Sequence, residues 1–218
     1  METGKQKGAP LPTVRRLPTY LRLLRQMEKD GREFVSSTAI ADELHLESIQ
    51  VRKDLAVTGI EGKCRVGYPV SELIQAIEEF LGWDNTTDAF LVGAGSLGAA
   101  LMGYEGFERH GLNIVAAFDI DDAKVGRPLR GKEVLPLSKF TDLARRMHIR
   151  MGIIATPADA APSIANLMVA SGIRAIWNFA PAKIIVPENV VVQNEDLSSG
   201  LAVLSRQLAE ILEKEGEA

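Results

Sequence analysis

The stretch DAFLVGAGSLGAALMGYEGF, residues 88–107, decides the fold predicted for this chain. Its apolar run at residues 89–92 indicates a buried strand, which leads directly into the pattern Gly93-x-Gly95-x-x-Gly98 and then into a helix. A strand, a glycine turn and a helix in this order form the context that a phosphate-binding glycine loop requires. Gly93 permits the tight turn, Gly95 permits backbone to approach a pyrophosphate, and Gly98 lets the helix pack close to the strand.

A second predicted strand, residues 114–118, ends in Asp119. An acidic residue about 20 positions beyond the glycine loop accepts hydrogen bonds from the adenosine ribose, and it repels a 2′-phosphate. The unit therefore predicts NAD(H) as the cofactor, in preference to NADP. A glycine turn without a ligand is the alternative. The residues predicted to face the phosphates are Gly93, Ala94, Gly95, Ser96, Leu97 and Gly98.

Strands and helices continue to alternate after Asp119. Helices are predicted at residues 137–147 and 158–170, and strands at residues 149–155, 173–179 and 190–192. This alternation predicts an α/β fold with a doubly wound parallel sheet of the Rossmann type. Ligands of such sheets lie beyond the carboxyl ends of the strands. The predicted cofactor pocket therefore also includes Thr156, Pro157, Asn178, Phe179, Ala180 and Pro181.

Short amphipathic segments precede the glycine loop. A serine-capped helix over residues 39–44, a turn at residues 45–47 and a further helix from Ser48 predict a helix-turn-helix. A glycine-rich hairpin at residues 59–68 predicts the wing of a winged helix. This half of the chain is therefore predicted to bind double-stranded DNA.

On the helix that begins at Ser48, Ile49 and Leu55 are predicted to face inward, which leaves polar side chains for a DNA groove. Gln, Arg and Lys can read the edges of adenine and guanine, whereas hydroxyl groups and wing cations suit phosphates. The predicted DNA-contacting residues are Ser36, Ser37, Ser48, Gln50, Arg52, Lys53, Lys63, Arg65 and Tyr68. A solvated charged helix in a protein–protein module is the alternative.

Composition and charge restrict the remaining classes. The 218 residues are 46% hydrophobic and 25% charged, and no apolar run approaches the length of about 20 residues that a membrane span needs. Residues 1–69 carry 12 Lys and Arg against 9 Asp and Glu, whereas the remainder carries 13 against 20, so the front end suits a polyanion. The single cysteine, Cys64, excludes an internal disulfide and suits the cytoplasm, and its role as an incidental or redox-active thiol stays open. No metal site is predicted.

The C-terminal residues predict a helix with a narrow apolar seam. The seam contains Leu197, Leu201, Leu204, Leu208 and Ile211. Spacing that alternates four and three favours packing against a partner subunit, and packing on the same domain is the alternative. The predicted domains are a winged-helix DNA-binding domain at residues 1–85, a Rossmann NAD(H)-binding domain at residues 86–196 and a C-terminal dimerisation helix at residues 197–218.

Taken together, several segments resemble the Rex family of redox-sensing transcriptional repressors across nearly the whole chain. They are Leu17-Pro18-x-Tyr20-Leu21-Arg22, Val35-Ser36-Ser37, Gln50-Val51-Arg52-Lys53-Asp54-Leu55, Val66-Gly67-Tyr68, Val92-Gly93-Ala94-Gly95-x-Leu97-Gly98, Ala116-Ala117-Phe118-Asp119, Asn178-Phe179-Ala180-Pro181 and Asp196-Leu197. The resemblance implies a homodimer whose C-terminal helix is swapped onto the partner, and a repressor that binds operator DNA when NADH is scarce and leaves it when NADH binds. It further implies that Arg22, Tyr104 and Asp196 couple the two domains.

The chain departs from the family pattern in two places. Ala56-Val57-Thr58-Gly59 stands where the family usually has Ser-Tyr-Phe-Gly, and Lys63-Cys64-Arg65 stands where it usually has Lys-Arg-Gly. Both segments border the predicted DNA-binding surface, so the departures concern the choice of operator.

A Rossmann domain does not by itself imply catalysis. A dehydrogenase needs a general acid or base near the substrate oxygen, and the histidines are badly placed for this. His45 belongs to the helix-turn-helix, while His110 and His148 lie at helix ends that lead into strands. We therefore predict a sensor without catalytic residues. An NAD-dependent oxidoreductase with an accessory helical domain is the alternative, and a nucleotide- or CoA-binding scaffold is a third interpretation.

Overall fold

The computed structural model describes residues 9–216, which form two compact units. The first unit contains the described residues up to Thr86 together with Arg109–Gly111. The second contains Thr87–Glu108 and the described residues from Leu112 onward.

The first unit is mainly helical. Within residues 9–86 its helices are α1 (Leu11–Lys29), α2 (Ser37–Leu44), α3 (Ser48–Ala56) and α4 (Val70–Leu81), and its strands are β1 (Phe34–Val35) and β2 (Tyr68–Pro69). The hydroxyl of Ser36 caps α2 by accepting a hydrogen bond from the N–H of Ala39 at 3.0 Å. His45 ends α2 in the left-handed region, with φ of 53°, and so turns the chain toward α3. The predicted helix-turn-helix is therefore present.

The core of the first unit is formed by one face of α1 and the inner faces of the other helices. Leu17, Tyr20, Leu21 and Leu24 recur at helical spacing and are each at most 1% exposed. One sequence prediction is wrong here, because Ile49 is 59% exposed. Val51 lies about 200° farther around α3, so when Val51 faces the core Ile49 points to solvent.

The second unit is built around one sheet, with helices in the connections between its strands. Its strands are β3 (Thr87–Val92), β4 (Leu112–Asp119), β5 (Pro128–Leu129), β6 (Lys132–Pro136), β7 (Met151–Ile154), β8 (Ala175–Asn178) and β9 (Val191–Asn194). Its helices are α5 (Ser96–Met102), α6 (Phe140–Arg146), α7 (Ala161–Ala170) and α8 (Leu197–Glu215). The predicted alternation is confirmed, with boundaries shifted by a few residues, and the β5–β6 hairpin is an addition that the sequence analysis missed.

Across the described residues the sheet has the strand order β5-β6-β4-β3-β7-β8-β9, and every pair except β5–β6 is parallel. Alternate residues of β3 face opposite layers. Phe90 packs against Phe118 and Phe140, with ring centroids 4.9 and 5.5 Å away, on the side of α6 and α7. Leu91 belongs to the cluster on the side of α5. The chain therefore winds in opposite directions from β3, and the ends of β3 and β7 form a switch point where ligands of such sheets bind.

Helix α8 leaves much of its apolar surface uncovered. Leu201, Leu204, Leu208 and Ile211 are each at least 50% exposed. The remaining member of the predicted seam, Leu197, begins the helix, and its side chain lies outside the described part of the structure.

Candidate nucleotide pocket and nucleic-acid interface

The glycine loop at the end of β3 requires glycine for steric reasons at two positions. Gly93 has φ of +108°, and a Cβ on it would collide with the carbonyl oxygen of Ala155. A Cβ on Gly98 would collide with the carbonyl oxygen of Gly93. Gly95 differs from both, because a Cβ there would meet no protein atom within 4 Å. Two glycines thus permit tight packing of the loop, and Gly95 leaves open space beside the backbone.

Asp119, at the end of β4, is held in place by three donors. The Oδ2 atom accepts hydrogen bonds from the N–H of Ala94 at 2.8 Å and from Nζ of Lys124 at 3.0 Å, while Oδ1 accepts from the N–H of Asp121 at 3.0 Å. Burial raises the pKa of Asp119, but these donors outweigh burial and keep the pKa below its ordinary value. The carboxylate is therefore ionised at neutral pH, and Oδ1 keeps a lone pair for a ligand hydroxyl.

The glycine loop and Asp119 border a cavity of about 590 Å³ at the switch point. Predicted residues that line it are Gly93, Gly95, Ser96, Leu97, Asp119, Thr156, Pro157, Phe179 and Pro181. Within this wall, Oγ1 of Thr156 is buried without a hydrogen-bond partner among the described residues. A buried hydroxyl without a partner is costly, so the wall favours a ligand that supplies one.

Four predicted pocket residues lie behind this wall instead of on it. Ala94 positions Asp119 through its N–H, and Gly98 packs against Gly93. Asn178 is fully buried, where its Oδ1 accepts from the N–H of Ala180 and its Nδ2 donates to the carbonyl oxygen of the same residue. These residues shape the loops from which the lining side chains project.

Part of the lining is not predicted by the sequence pattern. The additional residues are Val92, Ile120, Asp121, Lys124, Ala155, Ala160 and Ile164. Lys124 is notable because it neutralises Asp119 from a position five residues farther along the chain. No histidine, cysteine or tyrosine lines this cavity within the described residues. The titratable groups of its wall are Asp119, Asp121 and Lys124.

The second candidate site is the outer face of α3 in the first unit. Arg52 and Lys53 are exposed, and neither forms a hydrogen bond or an ion pair with another residue of the described chain. Ser48 begins the helix and is half-buried, as is Gln50. An exposed pair of cations on the second helix of a helix-turn-helix is typical of a surface that binds nucleic acid.

A tight turn places further cations on the predicted wing. Lys63 and Gly67 exchange backbone hydrogen bonds of 2.8 and 2.9 Å, and Arg65 lies between them with φ of 63°. The ammonium of Lys63 lies 5.6 Å from the ring centroid of Phe34, within the range of a cation–π interaction. Tyr68 is half-buried and pairs with Val35 in the β1–β2 ladder, which joins the wing to the helical core.

Asp54 is the buried hub that fixes α3 against α1. Although it carries a charge, its side chain is 0% exposed. It accepts hydrogen bonds from Thr13 (2.8 Å), from Arg16 (2.6 and 2.8 Å), from Tyr20 (2.7 Å) and from Nε2 of Gln50 (2.9 Å). Burial raises the pKa of Asp54, yet the donors overcome this and lower it to about 2. No sequence signal indicates this hub role for Asp54, because charged residues are rarely fully buried unless they are paired.

The residues implied by the resemblance to couple the two domains are Arg22 in the first unit and Tyr104 and Asp196 in the second. Arg22 is exposed on α1. Tyr104 is 58% exposed beyond α5, and its ring packs edge-on against Phe107. Asp196 caps α8 by accepting from the N–H and the hydroxyl of Ser198, and hydrogen bonds from serine hydroxyls lower its pKa.

Residues 9–216 contain neither a membrane-spanning helix nor a cluster of metal-binding side chains. No helix there is long and apolar enough to span a membrane. No group of three or more His, Cys, Asp and Glu side chains is arranged there to hold a metal ion.

The fold and these sites are typical of a ligand-responsive DNA-binding protein, in which one chain contains a helix-turn-helix unit and a Rossmann-type α/β unit. Residues 9–56 match the family model described as "Putative DNA-binding protein N-terminus", and residues 84–182 match the one described as "CoA binding domain". The chain is 51% identical over 201 residues to the redox-sensing transcriptional repressor Rex of Treponema denticola, covering 92% of this chain and 96% of that protein. The corresponding Rex protein of Bacteroides fragilis is 43% identical and is covered over 90% of its length. This chain belongs to the Rex family of redox-sensing transcriptional repressors, which are not enzymes.

Solved structures of a Rex-family repressor, RSP, share the fold. The structure of RSP with NAD⁺ and operator DNA has a TM-score of 0.88 at 35% identity, and the alignment covers 96% of this chain and 98% of that one. The structure of RSP with NADH has a TM-score of 0.85 at 33% identity, over 96% and 99% of the two chains.

Proposed function

We propose that this protein represses transcription in response to the NADH/NAD⁺ ratio, by binding operator DNA when NADH is low and leaving it when NADH binds. The observation that carries the proposal is the combination in one chain of a glycine-loop cavity bordered by ionised Asp119 and a helix-turn-helix with the exposed cations Arg52 and Lys53. The structures of RSP with NAD⁺ and operator DNA and with NADH support it.

The cofactor lies in the 590 Å³ cavity. Its pyrophosphate lies against Gly95 and Ser96, where no side chain obstructs the backbone, and its adenosine ribose donates to the free lone pair of Asp119. The negative charge of Asp119 disfavours the 2′-phosphate of NADPH. At the other end, the apolar side chains of Pro157, Phe179 and Pro181 favour the uncharged reduced nicotinamide over the charged oxidised ring, and the hydroxyl of Thr156 is available to hydrogen-bond the cofactor.

The three domains are residues 1–85, 86–196 and 197–218. The DNA lies against α3 and the wing of the first domain. Arg52 and Lys53 meet the major groove, and Lys63 and Arg65 reach phosphates or the neighbouring minor groove. Further contacts come from Ser36, Ser37, Ser48, Gln50 and Tyr68. Because Gln50 donates one N–H to Asp54, its amide approaches the groove in a fixed orientation.

The response to NADH follows from differential binding. NADH binds more tightly to the arrangement of the dimer that holds the two DNA-binding units at the wrong spacing for the half-sites, so it shifts the population away from DNA. A coupling of about 1–3 kcal/mol changes operator affinity by about 5- to 150-fold. Arg22, Tyr104 and Asp196 are proposed to transmit this change.

The protein acts as a cytoplasmic homodimer in which α8 packs on the partner subunit. Two apolar surfaces support this part of the proposal. One is the exposed seam of α8, and the other is an apolar groove of about 380 Å³ along β8 and β9 that includes Trp177 and Val191. Burial of these surfaces against a second copy would cover the exposed leucines.

An electrophoretic mobility shift with selected operator DNA tests the main proposal. NADH should release the DNA, and NAD⁺ should do so only at much higher concentration. An oxidoreductase would instead oxidise or reduce a substrate and leave the DNA unshifted. Retention of the DNA at saturating NADH would overturn the proposed function.

Arg52→Ala should weaken operator binding by about 5- to 150-fold for each half-site, because a bidentate contact to a base contributes about 1–3 kcal/mol. Lys53→Ala should weaken binding to all sequences and lower the salt dependence by about one ion per half-site if it contacts a phosphate. Fluorescence anisotropy with labelled DNA measures both effects, and calorimetry should give an unchanged NADH affinity. Arg146→Ala, an exposed arginine of the second unit, is the matched control and should bind DNA normally. Loss of NADH binding in Arg52→Ala would contradict the assignment of separate sites.

Leu204→Glu and Leu208→Glu should each convert the dimer to a monomer, because a carboxylate in the seam cannot be buried without a partner. Analytical ultracentrifugation measures the change, and operator affinity should fall because one unit cannot contact both half-sites. Arg206→Glu is the matched control. It adds the same side chain on the opposite side of α8 and replaces an exposed ion pair with Glu210 by an exposed like-charge pair, a change that costs little on a solvated helix face. A dimer that survives both seam substitutions would contradict this mode of assembly.

A further inference from the structure

The outer face of α3 carries an apolar side chain beside its two cations. Ile49 is 59% exposed, and Arg52 and Lys53 follow it by three and four residues, so all three project from the same side of the helix. The opposite side, formed by Val51, Asp54 and Leu55, is buried. The face that the proposed function turns toward DNA is therefore apolar at its N-terminal end and cationic in its middle.

A single exposed apolar side chain is ordinary on a protein surface, so exposure alone has no meaning. Two further observations indicate that the exposed side chain of Ile49 contacts DNA. It occupies the second position of the recognition helix, and the N-terminal residues of such helices contact base edges. The helix is also held rigidly, because Asp54 joins it to Arg16 and Tyr20 of α1 through bonds of 2.6 to 2.8 Å.

The chemistry of the major groove then selects a single type of base. Adenine, guanine and cytosine present hydrogen-bond donors and acceptors there, and an isoleucine side chain can satisfy none of them. Thymine alone presents an apolar group, the C5 methyl. Contact between Ile49 and any other base edge would desolvate a polar group without a hydrogen bond.

We propose that Ile49 determines operator specificity by packing on the C5 methyl group of a thymine in each half-site. This inference rests on the proposed function. It adds a base-reading residue that acts by burial of apolar surface, whereas Arg52 and Lys53 act by hydrogen bonding and charge.

The test is a double-mutant cycle. It removes either the C5 methyl group of the thymine or the apolar side chain of Ile49 beyond Cβ. Operator fragments are first selected from random duplexes by the full-length protein without NADH. Each thymine is then replaced symmetrically by deoxyuridine, which lacks only the C5 methyl, and affinities are measured by fluorescence anisotropy for the natural protein, Ile49→Ala and Ile49→Val. At one position per half-site the natural protein should lose about fourfold for each methyl, or about 15-fold per dimer.

Ile49→Ala should lose a similar amount on the thymine operator and nothing further at that deoxyuridine position, while Ile49→Val should keep most of the discrimination. The inference would be overturned if the loss from Ile49→Ala and the loss from deoxyuridine added independently at every thymine position. It would also be overturned if deoxyuridine at no position weakened binding by the natural protein. In both of these cases release by NADH would persist and the proposed function would stand. If the protein selects no DNA, or NADH leaves the selected DNA bound, the proposed function fails and the inference fails with it.

Discussion

Asp54→Asn is expected to destabilise the first unit by about 3–5 kcal/mol, since it breaks a buried charge pair while leaving its partners in place. The carboxylate accepts five hydrogen bonds from four side chains, and Arg16 alone supplies two of them. An amide can accept at one atom only and presents an N–H to donors at the other. The guanidinium of Arg16 would then face a donor across 2.6 to 2.8 Å.

Hydrogen exchange resolved by mass spectrometry measures this loss in the full chain. Peptides from α1 and α3 should exchange about 150- to 4,000-fold faster, unless the unit unfolds outright, while peptides from β3 and β7 should keep their rates. Asp42→Asn is the matched control, because Asp42 is an exposed aspartate of the same unit, and it should change stability by less than about 0.5 kcal/mol. Unchanged exchange in α1 and α3 of Asp54→Asn would show that the hub is not a stabilising element.

The same residue predicts how stability depends on pH. The pKa of Asp54 is about 2 in the folded protein and lies below its ordinary value of 3.8, so its ionisation stabilises the fold above about pH 4. That contribution, roughly 2 kcal/mol, disappears as the pH falls from about 4 to about 2. The stability difference between the natural protein and Asp54→Asn should therefore shrink over this range and stay constant between pH 5 and 8.

The glycine loop and the sheet could be predicted from sequence because each part has a local signal. Gly93 and Gly98 stand where any side chain would collide with backbone, so their spacing reports the geometry directly. The apolar run of β3 is buried throughout and leads directly into helix α5, and such a run is hard to mistake. The run of β4 is buried at Ile114, Ala117 and Phe118 and ends in Asp119.

The first unit was harder to predict because its helix α3 has only nine residues. In so short a helix the apolar pattern does not define one face. It predicts that Ile49 and Leu55 both face inward, whereas Leu55 is buried and Ile49 points to solvent. The inward position that an apolar residue would normally occupy belongs to Asp54, and three of its four partners lie 34 to 41 residues away on α1. Long-range pairing of this kind leaves no periodic signal. The contact of Lys124 with Asp119 is local, but it forms through an irregular turn, which also leaves no periodic signal.

Asp119→Ala is expected to weaken NADH binding by about 10- to 150-fold, and so to leave the repressor on DNA at NADH concentrations that release the natural protein. A hydrogen bond to a charged acceptor contributes about 1.5–3 kcal/mol, and the ribose loses this acceptor. The substitution also frees the N–H of Ala94 and the ammonium of Lys124, which both point at the vacated position. Calorimetry gives the affinity, and the mobility shift in an NADH titration gives the release point.

The freed ammonium allows a sharper readout than affinity alone. In the natural protein Lys124 is neutralised by Asp119, so the 2′-phosphate of NADPH meets a carboxylate. In Asp119→Ala the same phosphate meets the ammonium of Lys124, whose remaining partner is the exposed carboxylate of Asp121 at 3.8 Å, and NADPH should lose less affinity than NADH or gain some. The ratio of NADH affinity to NADPH affinity should therefore fall. Asp122→Asn, a change to an exposed acid of the same turn that does not line the cavity, should leave that ratio close to its natural value. A ratio that is equally unchanged in Asp119→Ala would mean that Asp119 supports the loop through Ala94 and does not select the cofactor.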